Sequence, residues 1–266
     1  MTAAITLSTL RAMKKRAEKF ATLTAYDASF AAILEAAGVE VILVGDSLGM
    51  VVQGHSTTVP VTIDEMIYHT RCVRQGSANT LLMADMPFMS DATPALALAN
   101  AARLMKEGGA QVVKLEGGAV IVDTVRLLSE RGIPVCGHLG LLPQSINKLG
   151  SYRVQGRDEA SAQCLLEDAR LLEAAGAELL LLECVPATLM KAVSEQSKVP
   201  VIGIGAGADC DSQVLVLYDL LGITRGKRPA FSKNFLEDCG SIEAAVAEYV
   251  RQVKAGEFPA AAQIIA

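Results

Sequence analysis

The sequence predicts an α/β fold, a (β/α)8 (TIM) barrel with one additional N-terminal helix. Three observations carry this. Short apolar, β-branched runs alternate with helix-like stretches along the chain, and a strand buried on both faces reads as such a run. About eight runs fit into 266 residues, which suits one closed barrel. Five of the runs also deliver an ionisable group at their C-terminal end. Val41–Val44 leads to Asp46, 80–84 to Asp85, 112–115 to Glu116, 134–137 to His138 and 179–182 to Glu183. In a barrel all strand C-termini share one mouth, so groups far apart in sequence become neighbours.

The elements follow in order. Leu7, Leu10, Met13 and Ala17 fall on one side of an opening helix, for which Ser8 is the candidate N-cap. Residues 1–20 hold Arg11, Lys14, Lys15, Arg16 and Lys19 against one acid, Glu18. That balance is faintly transit-peptide-like, but the first strand follows almost at once, and the expectation is a helix packed against the domain. Phe20–Thr24 reads as the first strand. Asp27 caps a helix that runs through Ala37 and stops at Gly38. Val41–Val44 is the second strand, 49–61 a loop, and Thr62 caps a helix to about Arg74. Residues 80–84 form a strand and 94–107 an alanine-rich helix ended by Gly108 and Gly109. A strand at 111–115 leads to a helix through Glu130. A strand at 134–136 leads to a long loop, 137–157. Then come a helix at 161–175, a strand at 178–182, a helix at 186–196, strands at 200–204 and 214–218, and a closing helix at 240–255. No composition break marks a linker, so 1–266 reads as a single barrel domain with right-handed βα crossovers.

Composition narrows the function classes. A net charge of -5 argues against a general nucleic-acid binder. No apolar run approaches the roughly 18 residues of a membrane span, so neither nucleic acid nor membrane is an expected partner. The six cysteines, Cys72, Cys136, Cys164, Cys184, Cys210 and Cys239, contain no CxxC pair. They read as small core residues of a cytoplasmic protein.

Asp46, Asp85 and Glu116 are hard oxygen donors. Each alone reads as a cap on the helix after its strand. Together at one mouth they would repel unless a cation sat between them, and Mg²⁺ suits such oxygens while leaving positions for water and substrate. No HxH or HExxH pattern is present, which argues against zinc. Lys114 lies two residues before Glu116, so both point to the same, inward face. Its ammonium would meet either a substrate anion or a carboxylate of the cluster. Glu183 follows four leucines, a desolvating setting that suits a general base; alternatively it caps the helix near Pro186. His138 precedes a glycine-rich loop, His69 reads as structural, and His55 stays open. Gly203, Gly205 and Gly207 fit phosphate binding or close backbone packing equally well. A metal, a lysine and a base define a reaction type. A 2-oxo acid chelated by the metal loses the adjacent C–H proton, and its enolate attacks an electrophilic carbon.

Longer motifs go further: LTAYDASFA (23–31), VGDSLGMVVQGH (44–55), ADMPF (84–88), VVKLEGG (112–118), PVCGHLGLLPQS (134–145), VQGR (154–157), LLECVP (181–186), PVIGIGAG (200–207) and FSKNF (231–235). By these, from about residue 7 to residue 257, the sequence resembles the ketopantoate hydroxymethyltransferase family of pantothenate biosynthesis. The resemblance implies a Mg²⁺-dependent (β/α)8 barrel related to the phosphoenolpyruvate mutase and isocitrate lyase group. It implies transfer of a hydroxymethyl group from 5,10-methylenetetrahydrofolate, a reduced folate, to 3-methyl-2-oxobutanoate, giving 2-dehydropantoate. It places the metal on Asp46, Asp85 and Glu116, and the oxo acid on Asp46, Ser47, Asp85 and Lys114 with His138 lining the site. It makes Glu183 the proton acceptor, and it implies a homodecamer.

The chain departs from the family pattern at Asp91, where an aromatic is expected, at Ser212 for Gly, at Tyr218 for His and at Ala230 for Lys. The tail AAAQIIA lacks the family's usual acidic-histidine ending. None of these is a predicted metal or base position. Two rivals remain on sequence grounds. One is another Mg²⁺-dependent enolate enzyme of the related group, whose KKCGH motif is missing here, since CGH follows Pro134 and Val135. The other is a non-catalytic ligand-binding relic of the fold, which would have no need of a base.

Overall fold

The structure is a computed structural model and describes residues 4–264. The first three residues of the N-terminal segment and the last two of the AAAQIIA tail lie outside the described residues. Eight parallel strands close into a barrel in sequence order. They are β1 (Phe20–Thr24), β2 (Val41–Val44), β3 (Leu81–Asp85), β4 (Val112–Glu116), β5 (Val135–Gly140), β6 (Leu179–Glu183), β7 (Val201–Ile204) and β8 (Ser212–Leu215). The seam is β1 against β8, with Phe20 opposite Ser212 and Leu23 opposite Leu215. The hydroxyl of Tyr249 reaches a carbonyl on each side of that seam, Thr22 O at 2.9 Å and Gln213 O at 2.8 Å.

Both faces of these strands are buried, as their apolar runs demand. Val41, Leu43, Leu81, Met83, Val112, Cys136, Leu179, Leu181, Ile202 and Val214 pack together inside the barrel. The residues between them, such as Ile42, Leu82, Val113, Leu180 and Leu182, pack outward under the helices. Period two carries the inward face onward from Met83 to Asp85, from Val112 to Lys114 and Glu116, from Cys136 to His138 and from Leu181 to Glu183. The lumen is thus apolar below and charged above, and the strand sequences alone dictate that order.

The opening helix, α1 (Leu7–Lys15), lies against the lower end. Leu10 is fully buried in the lumen cluster, and Ile5, Leu7 and Met13 pack against it. Its cations serve docking contacts. Lys14 pairs with Asp211 at 2.7 Å and Arg11 pairs with Glu178. The cap is Thr6 rather than Ser8: Thr6 and Thr9 form a reciprocal capping box, which starts the helix early enough for Leu7 and Leu10 to face the barrel. Ala17 is exposed beyond the helix end, with φ 54°.

Most other helices lie within a residue or two of their predicted positions. Asp27 caps α2 (Ala28–Ala36), and Thr62 with Glu65 forms a capping box on α4 (Ile63–Gly76). The start of the stretch 49–61, read as loop, belongs to a single helical turn, α3 (Leu48–Val51). The helix α5 (Pro94–Arg103) relaxes into a π-helical turn, Leu104–Gly108, before Gly109. After it come α6 (Val122–Glu130), α7 (Ile146–Leu149), α8 (Glu159–Ala174), α9 (Ala187–Gln196), α10 (Leu217–Leu220), α11 (Leu236–Cys239) and α12 (Ile242–Ala255).

Two boundaries differ more. Strand β5 runs on to Gly140, so His138 sits within a strand and not at a loop entrance. Gly137 looked like a loop residue, but a Cβ there would meet Leu172 Cδ1 of α8 at 2.7 Å, so it is a packing glycine. The last strand begins at Ser212 and ends at Leu215, leaving Tyr218 in α10. Its polar start is satisfied internally: Ser212 Oγ lies 2.9 Å from Thr22 Oγ1, and Gln213 Nε2 donates to Gly207 O at 2.8 Å. Among the described residues no helix is long and apolar enough to cross a membrane.

Leu10 closes the lower lumen with no exposed surface. Leu10→Ala is expected to cost about 2–5 kcal/mol, read as a lower urea midpoint. An unchanged midpoint would show that α1 contributes nothing to core packing.

Candidate active site

A cavity of about 1430 Å³ opens at the C-terminal ends of the strands, and Asp46, Ser47, Asp85, Lys114, Glu116, His138 and Glu183 all line it. Five of the seven arrive by strand period. Asp46 and Ser47 arrive by a turn after β2, which depends on Gly45: a Cβ at that position would meet Ser47 Oγ at 2.7 Å and Asp85 Oδ2 at 3.5 Å. The turn brings the Asp46 backbone N–H to Asp85 Oδ2 at 3.0 Å. Ser47 Oγ lies 2.9 Å from the hydroxyl of the buried Tyr26. Tyr26 in turn packs edge-on against Tyr218, at 5.8 Å between ring centroids.

Lys114 Nζ donates to Asp85 Oδ1 at 2.6 Å, and the two side chains are only 5% and 4% exposed. This is the carboxylate contact that the sequence allowed for the lysine. Burial opposes its charge, but Asp85, Glu116 and Asp46 together hold the ammonium protonated, above the usual lysine range. The carboxylates feel the crowding in return. Burial, and then the charges of Asp85 and Glu116, push Asp46 well above the usual aspartate range. Burial raises Glu116 to about 7 despite Lys114.

His138 stands between two carboxylates. Nδ1 is 3.4 Å from Glu116 Oε1 and Nε2 is 3.3 Å from Glu183 Oε2. Neither contact has hydrogen-bond geometry, so both ring nitrogens and Glu116 Oε1 are buried without a hydrogen-bond partner among the described residues. Burial and Lys114 lower the His138 pKa, which favours the neutral ring against the pull of Glu183. Glu183 differs from the other carboxylates. Its side chain is 16% exposed against 4% for Asp85 and 5% for Glu116.

Among the described residues no group of three or more His, Cys, Asp or Glu side chains is gathered closely enough to hold a metal ion by itself. A hard cation that keeps waters and shares ligands with a substrate asks for fewer protein oxygens. The donor chemistry fits one: Glu116 Oε1 is orphaned, and burial, with the neighbouring carboxylates adding to it, holds Asp46 and Glu116 above their usual pKa ranges despite Lys114.

Other sequence expectations resolve as follows. His69 Nδ1 meets Tyr26 O at 2.7 Å, a structural role. His55 lies exposed on the cavity rim. The glycines of 203–207 are occupied by packing, since a Cβ on Gly203 would meet Cys210 and Met190 at 3.0 Å and one on Gly207 would meet Ala187 at 2.7 Å. Cys136 lies in the lumen, its thiol pushed up to about 12 by burial, which makes it a poor nucleophile. Among the departures, Ser212 bonds within the lower lumen, Ala230 lies at the cavity, and nothing in the structure explains Asp91. Sequence reading missed Gln144, which touches both Asp46 and Glu116, and Tyr26 behind Ser47. Both stand inside motifs already singled out, but only the folded chain reveals their partners.

The family model described as ketopantoate hydroxymethyltransferase matches residues 4–261. The chain belongs to this family. It is 60% identical over 255 residues to the 3-methyl-2-oxobutanoate hydroxymethyltransferase of Nitrosococcus oceani, covering 96% of this chain and 97% of that one. With the enzyme of the same name from Marinobacter nauticus it shares 58% over 257 residues, 97% of each chain. Solved structures share its fold at lower identity. A phosphonopyruvate hydrolase complex with oxalate and Mg²⁺ has a TM-score of 0.62 at 15% identity, over 97% of this chain and 93% of that one. A 2,3-dimethylmalate lyase of the phosphoenolpyruvate mutase and isocitrate lyase superfamily has a TM-score of 0.59 at 18% identity, over 91% and 90%. The barrel is therefore shared with the rival group of enolate enzymes, while full-length sequence similarity lies with the hydroxymethyltransferases.

The carboxyl chemistry predicts a pH dependence for the cation-free protein. Glu116 sits at about 7 when folded, above its usual 4.5. Between these values the folded state binds more protons than the unfolded one, so stability falls as pH rises from about 4.5 to about 7. The loss from Glu116 is on the order of 3 kcal/mol at most, and Asp46, shifted the same way, adds to it. Urea midpoints in chelator should drop across this interval, and Glu116→Gln should flatten the drop relative to wild type. A wild-type curve parallel to that of Glu116→Gln would contradict the assignment.

Proposed function

We propose that the chain transfers a hydroxymethyl group from 5,10-methylenetetrahydrofolate to 3-methyl-2-oxobutanoate to give 2-dehydropantoate, with Glu183 as the base. The observation that carries this reading is the unequal treatment of the carboxylates. Asp85 is engaged by Lys114 and by the Asp46 N–H, Asp46 by the Gln144 amide and Glu116 by the Gln144 backbone N–H. Asp46 is buried with them. Glu183 lies against His138, and its side chain is more open to the cavity than that of Asp85 or Glu116. Groups of the first kind suit fixed charge; the last suits proton transfer.

The oxo acid binds with its anionic end toward Lys114 and the Asp46–Ser47 turn, where Ser47 supplies a hydroxyl oriented by Tyr26. Asp46, Asp85 and Glu116 would hold Mg²⁺, which when bound supplies positive charge beside the keto and carboxylate oxygens. Glu183 Oε2 takes the C3 proton, and neutral His138 behind it limits how far that carboxylate can swing. Water adds to the methylene carbon of the reduced folate, whose two C–N bonds break to release tetrahydrofolate and leave the one-carbon unit as formaldehyde. The C3 nucleophile attacks that carbonyl carbon, and the carbonyl oxygen takes up a proton and becomes the hydroxyl. The cavity, about 1430 Å³, is larger than a five-carbon oxo acid needs, which supports entry of the folate through the same mouth. The enzyme works in the cytoplasm as a homodecamer, a reading supported by the family resemblance and checked by sedimentation equilibrium.

The test separates the base from the scaffold. Glu183→Gln keeps volume and hydrogen-bonding capacity but accepts no proton at neutral pH. With Mg²⁺ and no folate, its exchange of the C3 proton of 3-methyl-2-oxobutanoate in D₂O should fall by roughly 10²–10⁴-fold, followed by NMR. Undiminished exchange would remove Glu183 from the base role and point to His138.

A further inference from the structure

Gln144 lies in the 3₁₀ turn Pro143–Ser145 that follows β5, and it is buried. Its backbone N–H donates to Glu116 Oε2 at 3.1 Å. Its side-chain Nε2 donates to Asp46 Oδ2 and to Met86 O, each at 2.9 Å. A carboxamide nitrogen has two hydrogens, and both are used. Both partners are acceptors, so only the nitrogen can face them, and the amide has one orientation. The backbone N–H belongs to the first turn of a helical segment, where no intrahelical acceptor exists. Its donation to Glu116 satisfies a donor that would otherwise be buried and unpaired. One residue thereby ties the ends of β2, β3 and β4 to the loop that leaves β5.

We infer that Gln144 is a positioning residue for the carboxylate pair Asp46 and Glu116. The inference rests on the reading of those two residues as cation-holding groups. Two like charges buried in one lumen favour rotamers that separate them. Gln144 opposes this by engaging one oxygen of each, Oδ2 of Asp46 and Oε2 of Glu116. Glu116 Oε1 is left buried and without a hydrogen-bond partner, the oxygen that a cation would take. Asp85 is outside this arrangement, since Lys114 and the Asp46 N–H hold it. Removing the amide should therefore loosen Asp46 while leaving the Lys114–Asp85 pair intact.

The test uses the full chain and Mn²⁺ alone, with free Mn²⁺ counted by electron paramagnetic resonance and no substrate present. Gln144→Met keeps the length of the side chain and removes both donors. Mn²⁺ affinity should fall by roughly 10- to 100-fold, the range for losing an outer partner of a metal ligand. The KM for the oxo acid at saturating cation should stay near wild type, a split that a general loss of structure would not produce. Asp85→Asn, measured in parallel, tests the underlying reading. Mn²⁺ binding unchanged in Asp85→Asn would overturn the cation site, and this inference with it. Binding lost in Asp85→Asn but unchanged in Gln144→Met would overturn the role of Gln144 alone. Should Gln144→Met not fold, Gln144→Asn, whose amide falls one methylene short of Asp46, is expected to show the same loss and decides the question in the same way.

Discussion

The upper lumen depends on the ion pair between Lys114 and Asp85. Asp46, Asp85 and Glu116 crowd a space from which water is nearly excluded, and Lys114 is the ammonium that faces them from within the barrel. A buried ion pair rarely adds stability over a well-packed apolar pair, because desolvation offsets much of the Coulomb attraction. The lower lumen shows what the same barrel does without charge: it fills with leucine, isoleucine, valine and methionine. The charged upper layer is therefore poorly explained by stability, and well explained by a need to bind something polar. The raised pKa values of Asp46 and Glu116 carry the same message: burial disfavours their charged forms, and the neighbouring carboxylates add to it.

Closure of the barrel is what lets so few residues do this. Each strand contributes one or two inward positions above the apolar plug, and parallel register fixes their heights. Asp85 lies opposite Lys114, and Glu116 opposite His138, because β3, β4 and β5 are paired that way. His138 consequently touches Glu116 on one side and Glu183 on the other without any loop having to fold precisely. Asp46 and Ser47 are the exceptions. They reach the site through a turn, so they carry more supporting contacts: Gly45 for space, Asp85 for the backbone, Tyr26 and Gln144 for the side chains.

Most of this was legible in the sequence where one rule governed. Period two and strand-end polarity located Asp85, Lys114, Glu116, His138 and Glu183, because the lumen imposes that rule on every strand. Legibility failed where a residue answered to something outside its own segment. Gly137 suggested a loop, yet it is a strand residue kept small by Leu172 of α8. The last strand is expected from Val214, yet it begins at Ser212 and Gln213, whose polar side chains meet Thr22 and the Gly207 carbonyl. Ser8 looked like a cap because its type is right, whereas Thr6 places Leu7 and Leu10 correctly on the barrel floor. Gln144 shows the limit most clearly. Its three partners come from three different strand ends, and no local pattern encodes them.

Contact and exposure also bear on the helix-cap alternative that sequence left open for the carboxylates. As helix caps, Asp85 and Glu116 would accept from the backbone of their own following segment. Instead Asp85 accepts from Lys114 and from the Asp46 N–H, and Glu116 accepts from the Gln144 N–H, contacts that cross between strands. Nor does Glu183 cap α9, whose N-cap is Pro186 with no side-chain bond. A base must release its proton after each turnover, so it needs access to water or substrate that a cation-holding oxygen does not. Glu183, at the end of β6 beside the exposed segment around Tyr152, has that access, while Asp85 and Glu116 lie deeper. The same strand that buries Leu179 and Leu181 in the lumen lifts its last inward residue to the height where the cavity opens. The position of the proposed proton transfer thus follows from the number of residues in β6 above the apolar plug.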